Sequence, residues 1–355
     1  MHSQHLEIIF FAAFIILILC LLILDLGVFE KEDKVVTPKR ALITTSIWVT
    51  LAVSFGFFIR FFGHFVHGIS DMESLEEIVL KYHGTGMWNE LANLPYDKAL
   101  SLFLGTMSLE YFTGYIIEYS LSIDNIFVIL LIFSSFAVKE EFYKRVLMWG
   151  IIGAIIMRFI FIFLASILVQ KFDFVLYIFG AFLIFTAIKM FVQRNKPHET
   201  HPENNKIVKF ASRLFPTTKS IKDHSFIKKI DGRRYITPLF LCLIAIEFSD
   251  LIFAFDSIPA IFSVTKDPYI VFFSNIFAVL GLRSLFFLVS GVMGKFRYLN
   301  VGLSALLFFI GVKMLAEHWL HEIGFNTIHS LIIIIGILSA SIILSILADK
   351  RKPTL

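Results

Sequence analysis

Two acidic stretches lie inside apolar runs of this chain: Glu118-Tyr-Ser-Leu-Ser122-Ile-Asp124-Asn125 and Glu247-Phe-Ser-Asp250-Leu-Ile-Phe-Ala-Phe-Asp256-Ser257-Ile-Pro259. Their carboxylate, hydroxyl, amide and carbonyl oxygens suit hard cations such as Mg²⁺, Mn²⁺ and Ca²⁺, whereas zinc, copper and nickel sites usually recruit imidazole or thiolate. An ionised side chain at the centre of a membrane helix costs roughly 2.5–3.5 kcal/mol, which makes it a functional-site candidate by default. Glu118, Asp124, Glu247, Asp250, Asp256, Arg158 and Arg283 are all such groups. Left unpaired they would cost roughly 17–25 kcal/mol together, more than the ~5–15 kcal/mol net stability of a folded protein. Pairing both arginines with acids still leaves three negative charges, so a bound cation, protons or both must balance them. The structural alternative, buried ion pairs alone, accounts for only two of the five acids.

Helical periodicity arranges these groups on faces. Glu118, Ser122 and Asn125 share one face at i, i+4 and i+7, and Glu247 and Asp250 share another at i, i+3. At about 100° per residue Asp256 points away from Glu247, so joint coordination requires the helix to bend or unwind between them. Pro259 is the expected helix break, because it has no N–H for the Phe255 carbonyl and disfavours the α region at Ile258. In the first stretch Ser122, Asp124 and Asn125 can loosen a turn by competing for backbone hydrogen bonds. Ser122, Asn125, Ser257 and Asn275 are the supporting polar groups of the candidate metal site. Arg158 and Arg283 balance charge and lock helices, since a guanidinium fork matches a carboxylate. Lys189 and Lys313 fall near helix ends, where lysine snorkels, and are assigned no chemistry.

The elements that must carry these residues are membrane helices. Of 355 residues, 57% are hydrophobic and 16% aromatic, and apolar runs of spanning length recur throughout. The expected fold is an all-α polytopic membrane protein with nine transmembrane helices, at 6–29, 42–66, 110–136, 145–170, 173–192, 237–265, 268–293, 298–317 and 327–348. The first run is too long for a signal-peptide core and is read as a retained helix. Every second loop is basic, through Lys31, Lys34, Lys39 and Arg40, then Lys139, Lys144 and Arg145, then the 193–236 loop, Lys295 and Arg297, and finally Lys350, Arg351 and Lys352. Basic loops stay on the cytoplasmic side, so the N-terminus is expected outside and the C-terminus in the cytoplasm. The net charge of +4 is then a topology signal, and no nucleic-acid partner is needed to explain it.

Cys20 and Cys242 fall within spans and suggest buried free thiols rather than a disulfide or thiolate metal site. His64, His67, His318 and His321 fall at the outer ends of spans, where interfacial or solvated roles are expected. The stretch His198–Glu203 reads as hydrated loop, and 206–215 as a short interfacial anchor.

One transmembrane domain is expected over 1–355. It comprises two N-terminal helices (1–66), an external loop (67–109), a first repeat (110–192), a basic cytoplasmic loop (193–236), a second repeat (237–317), and a last helix with a basic tail (318–355). The repeat rests on three markers in the same order: an acid six residues before Asp (Glu118/Asp124; Asp250/Asp256), Arg before aromatics (Arg158; Arg283), and Lys-Met (Lys189-Met190; Lys313-Met314). Three helices per unit would insert the second copy from the opposite side. Such an inverted repeat marks many secondary transporters and places their site near the midplane, at the repeat interface.

The runs Gly232-Arg-Arg-Tyr-Ile-Thr-Pro238, Glu247 through Pro268, Ser274-Asn275 through Arg283, and Leu109 through Asn125 closely resemble the signatures of the TerC/Alx integral membrane family. Tyr119 departs from the pattern, since members often carry lysine there. The resemblance implies a LysE-type transporter architecture in a bacterial inner (plasma) membrane. It also implies manganese export by a secondary transporter rather than an enzyme, with Glu118, Asp124, Glu247, Asp250 and Asp256 as the metal site. The family takes its name from tellurium resistance, but an acid surplus argues against a tellurite path. Mn²⁺ and protons are the expected partners besides the lipid bilayer, with no tightly bound cofactor. A calcium/proton exchanger and a non-transporting scaffold that delivers metal to membrane or secreted metalloproteins remain the alternatives. The sequence does not fix the oligomeric state.

Overall fold

The computed structural model describes residues 2–25, 37–136, 138–172, 174–193, 225–230, 233–290, 299–316, 319–320, 325 and 327–350. In chain order its helices are α1 (His2–Asp25), α2 (Pro38–Phe62), α3 (His64–His67), α4 (Met72–Tyr82), α5 (Gly84–Leu91), α6 (Tyr96–Ser135), α7 (Glu140–Lys171) and α8 (Phe174–Gln193). A hairpin of β1 (Ile227–Ile230) and β2 (Arg233–Ile236) follows, then α9 (Pro238–Phe262), α10 (Pro268–Ser290), α11 (Leu299–Leu315) and α12 (Thr327–Lys350). Among the described residues, 8 helices are long and apolar enough to cross a bilayer, and Val301–Leu315 in α11 is a shorter apolar helix. The protein is thus an all-α polytopic membrane protein, and its long helices overlap every expected span.

The main departure is at the start of α6. Its 40 residues would run about 60 Å, twice the ~30 Å apolar thickness of a bilayer, so part of it stands beyond the membrane. The segment expected as a loop at 67–109 therefore contains α4, α5 and the first turns of α6. Local chemistry explains α4. Asp71 Oδ1 accepts from the Ser74 backbone N–H at 2.8 Å, and Ser74 Oγ accepts from the Asp71 N–H at 3.1 Å, forming a reciprocal capping box. Leu75, Val79 and Tyr82 then share one face and are all buried.

At the centre of the bundle is α10. Its apolar window is 94% buried inside the protein, against 17% for α1 and for α12. It packs on α2, α6 and α7, while α6 also packs on α9 and α8 on α11. Lipid is as apolar as leucine, so close packing rather than hydrophobic exclusion must hold such helices together. The α8–α11 crossing shows how. A Cβ added to Gly180 would lie 3.0 Å from the Gly311 carbonyl oxygen, and one added to Gly311 would lie 2.8 Å from that of Gly180.

The opposite end from α3–α5 carries the hairpin, whose register pairs Ile227 with Ile236 and Lys228 with Tyr235. Arg145 on α7 lies 5.4 Å from the Phe226 ring centroid beside it. Thr237 then caps α9 by accepting from the Phe240 N–H at 3.4 Å, with Pro238 in the first turn. The segments at 206–215 and His198–Glu203, together with His318 and His321, lie outside the described residues.

Pro259 does not produce the expected break at Asp256. The α9 helix is continuous from Pro238 to Phe262 and ends 3 residues beyond the proline, where the Ser263 N–H donates to the Pro259 carbonyl at 3.1 Å. The proline forfeits the backbone hydrogen bond to the Phe255 carbonyl, yet Asp256 stays within the helix, which ends less than a turn beyond Pro259.

Candidate cation site

Arg158 organises the interior. It lies on α7 with a side chain fully removed from solvent, and its nitrogens reach three other helices. Nε and Nη2 donate to Asp250 Oδ2 and Oδ1 on α9 at 3.3 and 3.0 Å, which is a bidentate fork. Nη1 donates to Glu118 Oε1 on α6 and, at 2.8 Å, to Asn275 Oδ1 on α10. Asn275 Nδ2 closes the ring by donating to Glu118 Oε2 at 3.0 Å. A planar cation with fixed donors is well suited to joining α6, α7, α9 and α10 in one geometry.

Glu247 lies one turn before Asp250 and packs against Gly153 of α7. A Cβ at position 153 would collide with its carboxylate, so the glycine makes room for that group. Like-charged Asp250 is the titratable neighbour that acts on Glu247 electrostatically. Glu118 and Asp250 share the Arg158 guanidinium, which leaves one negative charge when both are ionised, and Glu247 beside Asp250 adds a second when it is ionised too. Burial in low dielectric makes that excess costly and favours a counter-cation.

Unused oxygens lie on the same helices. Ser122 Oγ and Asn125 Oδ1 on α6, and Ser257 Oγ on α9, are buried and have no hydrogen-bond partner among the described residues. An unpaired buried oxygen loses its hydration without compensation, at about 1–3 kcal/mol. Ser122 and Asn125 continue the face of Glu118, one and two turns along.

Asp256 faces elsewhere. Because α9 is unbroken, its carboxylate stays on the side away from Glu247 and accepts from Thr186 Oγ1 of α8 at 3.1 Å, with Lys189 acting on it electrostatically. The expected convergence of all five acids is therefore corrected: Glu118 and Asp250 bind Arg158, Glu247 lies one turn from Asp250, and Asp256 accepts from Thr186 of α8. The side chain of Asp124 lies outside the described ones. Among the described residues, no three His, Cys, Asp or Glu side chains are grouped to hold a metal unaided. Arg283 is half-buried on α10, about 12 Å further along the axis than Asn275.

Sequence reasoning missed Gly153 and Thr186, which carry no charge to mark them. It also gave Lys189 and Lys313 no role, yet Lys313 Nζ donates to the Ser263 carbonyl at 2.8 Å, at the end of α9.

Fold and site together define a polytopic helical membrane protein with a guanidinium–carboxylate core and spare buried oxygens. The chain belongs to the TerC family: the family described as integral membrane protein TerC matches residues 104–353. It is 40% identical to a membrane protein of Myxococcus xanthus over 97% of this chain and 93% of that one. It is 47% identical to the membrane-bound redox modulator Alx of Escherichia coli K12 over 60% of this chain and 66% of the relative, and 36% identical to the Alx of Photorhabdus laumondii over 96% of both. No solved structure matches it significantly.

Proposed function

We propose that this protein is a secondary transporter that exports Mn²⁺ from the cytoplasm, in exchange for protons, through the carboxylates around Arg158. The observation that carries the reading is the charge imbalance at that centre. Glu118 and Asp250 share one guanidinium and Glu247 lies beside Asp250, so with all three acids ionised the excess of two negative charges equals the charge of a divalent cation. Ser122, Asn125 and Ser257 add hard oxygen ligands without hydrogen-bond partners. Protons on the carboxylates would balance the same excess after the metal leaves, which is the basis for antiport. The packing of α6 on α9, α7 on α10 and α8 on α11 supports the reading of two three-helix repeats facing each other. The basic loops favour a cytoplasmic hairpin and an α3–α5 end on the opposite side of a bacterial inner membrane.

The test is cellular manganese after a Mn²⁺ challenge, in cells carrying wild type, Glu118→Gln, Asp250→Asn or empty vector at matched membrane levels. Export through the core predicts lower manganese with wild type and loss of that effect in both variants. Manganese equal to the empty-vector level with wild type overturns the reading. Competition by Ca²⁺ in purified vesicles distinguishes a calcium exchanger, and a scaffold moves neither metal there.

A further inference from the structure

The short helices α3, α4 and α5 cap one end of the bundle and carry two histidines that the proposed cation path does not use. His67, the last residue of α3, places Nε2 2.7 Å from Asp267 Oδ2, and both side chains are fully buried. This corrects the expectation of an interfacial or solvated role for His67. Asp267 immediately precedes α10, and its other oxygen accepts from the Tyr269 N–H at 2.9 Å. His83, between α4 and α5, places Nε2 3.2 Å from Glu110 Oε2 on α6, and these side chains are 8% and 4% exposed. One pair thus fastens the cap to α6 and the other to the α9–α10 connection.

Each imidazole also has a buried Nδ1 with no hydrogen-bond partner among the described residues. With Nε2 donating to a carboxylate, the neutral ring leaves Nδ1 as an unpaired acceptor, and the charged ring leaves it as an unpaired donor. Neither state is fully satisfied, so the carboxylate opposite decides between them. Charging the ring strengthens the bond to that carboxylate, and discharging it removes the charge assistance.

We propose that the α3–α5 cap is a pH-responsive latch, fastened to the bundle by His67–Asp267 and His83–Glu110 and loosened at the His83–Glu110 contact as the surrounding medium turns alkaline. The other groups around it are accounted for. The rings of Tyr82 on α4 and Tyr269 on α10 lie 5.5 and 5.3 Å from His67, and Glu7 on α1 accepts from the Tyr269 hydroxyl. Lys81 sits over Tyr82, 4.9 Å from its ring centroid, and His64 lies one turn before His67 on α3. Asp267 and Lys266 both act on His83, with opposite sign.

Burial by itself would lower the pKa of His83, but the charge and hydrogen bond of Glu110 outweigh it and hold the imidazole above its usual 6.5. A group raised on folding gives its full stabilisation below its ordinary value and loses it as pH climbs through the raised one. Burial would raise Asp267, but His67, His83 and the Tyr269 N–H outweigh it and hold the carboxyl below its usual 3.8. Its contribution is present above 3.8 and is lost only as pH falls through the depressed value. The latch is therefore tightest between the carboxylate and imidazole ranges and weakens on the alkaline side.

Hydrogen exchange on the full chain in nanodiscs tests this. Rates at about pH 5.5 and about pH 8.5 are compared after correction for intrinsic chemistry. Exchange across 64–91 is expected to rise about tenfold at the higher pH, the effect of one pKa unit of coupling. The hairpin at 227–236 carries no histidine pair and should not change. A combined His67→Gln and His83→Gln variant should exchange quickly at both pH values. A flat wild-type profile in the cap, an equal rise in the hairpin, or a variant that keeps the wild-type pH dependence each overturns the proposal. The wild-type comparison decides alone if the variant does not fold.

Discussion

The Arg158 centre and the histidine pairs of the cap bury carboxylates in the same molecule with different cations. Arginine stays protonated at any physiological pH, so the fork from Arg158 to Asp250 and its bonds to Glu118 and Asn275 form a permanent four-helix tie. Histidine changes charge near neutrality, and Glu110 holds His83 above its usual value, so the bond between them depends on the medium. In the core, the balance shifts only through protons on the acids or a cation beside them. At the cap, the imidazole itself shifts it. A fixed counter-charge thus suits a site whose occupant varies, whereas a titratable one suits a contact that opens.

The most forceful way to break this contrast is Arg158→Met. It leaves Glu118 and Asp250 buried without their shared cation, so thermal unfolding in detergent should show a loss of about 3–5 kcal/mol. Arg158→Lys should recover part of that, because it restores charge without the fork. A smaller effect is expected from Gly153→Ala, whose Cβ would meet the Glu247 carboxylate. The carboxylate is the end of a flexible, half-buried side chain and can swing aside, which relieves most of the ~1–3 kcal/mol that overpacking costs, so Gly153→Ala should lower transport more than stability.

His83→Gln sharpens the pH side of the comparison. Its stability deficit against wild type should be largest below 6.5 and close as pH rises through the raised value of His83, whereas the Arg158→Met deficit should persist across that range. Denaturant unfolding at a series of pH values measures both. The smallest effect is expected for Thr186→Val, which removes one hydrogen bond to half-buried Asp256, worth about 0.5–1.5 kcal/mol.

Hydropathy made the spans legible because each membrane helix must satisfy its own backbone and therefore writes a continuous apolar run. The early start of α6 escaped that signal, since Tyr96-Asp97-Lys98 begins a helix that stands beyond the apolar layer. The Asp71–Ser74 capping box was a local signal that could have revealed α4. Within the site, the 100° rule separated Asp256 from Glu247, and in the structure Asp256 accepts from Thr186 of α8 instead. The expectation that Pro259 would reunite them gave its local strain too much reach. Thr186 beside Asp256 and His67 beside Asp267 join residues distant in sequence, and no periodicity or motif encodes which helix faces which. Gly153 was silent for another reason, since its function is to lack a side chain.

Mn²⁺ flux in proteoliposomes, with an imposed pH gradient at clamped voltage, tests the central claim most directly. The account predicts flux that follows the gradient in wild type and is lost in Glu118→Gln and Asp250→Asn at equal reconstitution. Flux that survives both substitutions would place the path away from Arg158, and no flux in wild type would contradict transport itself.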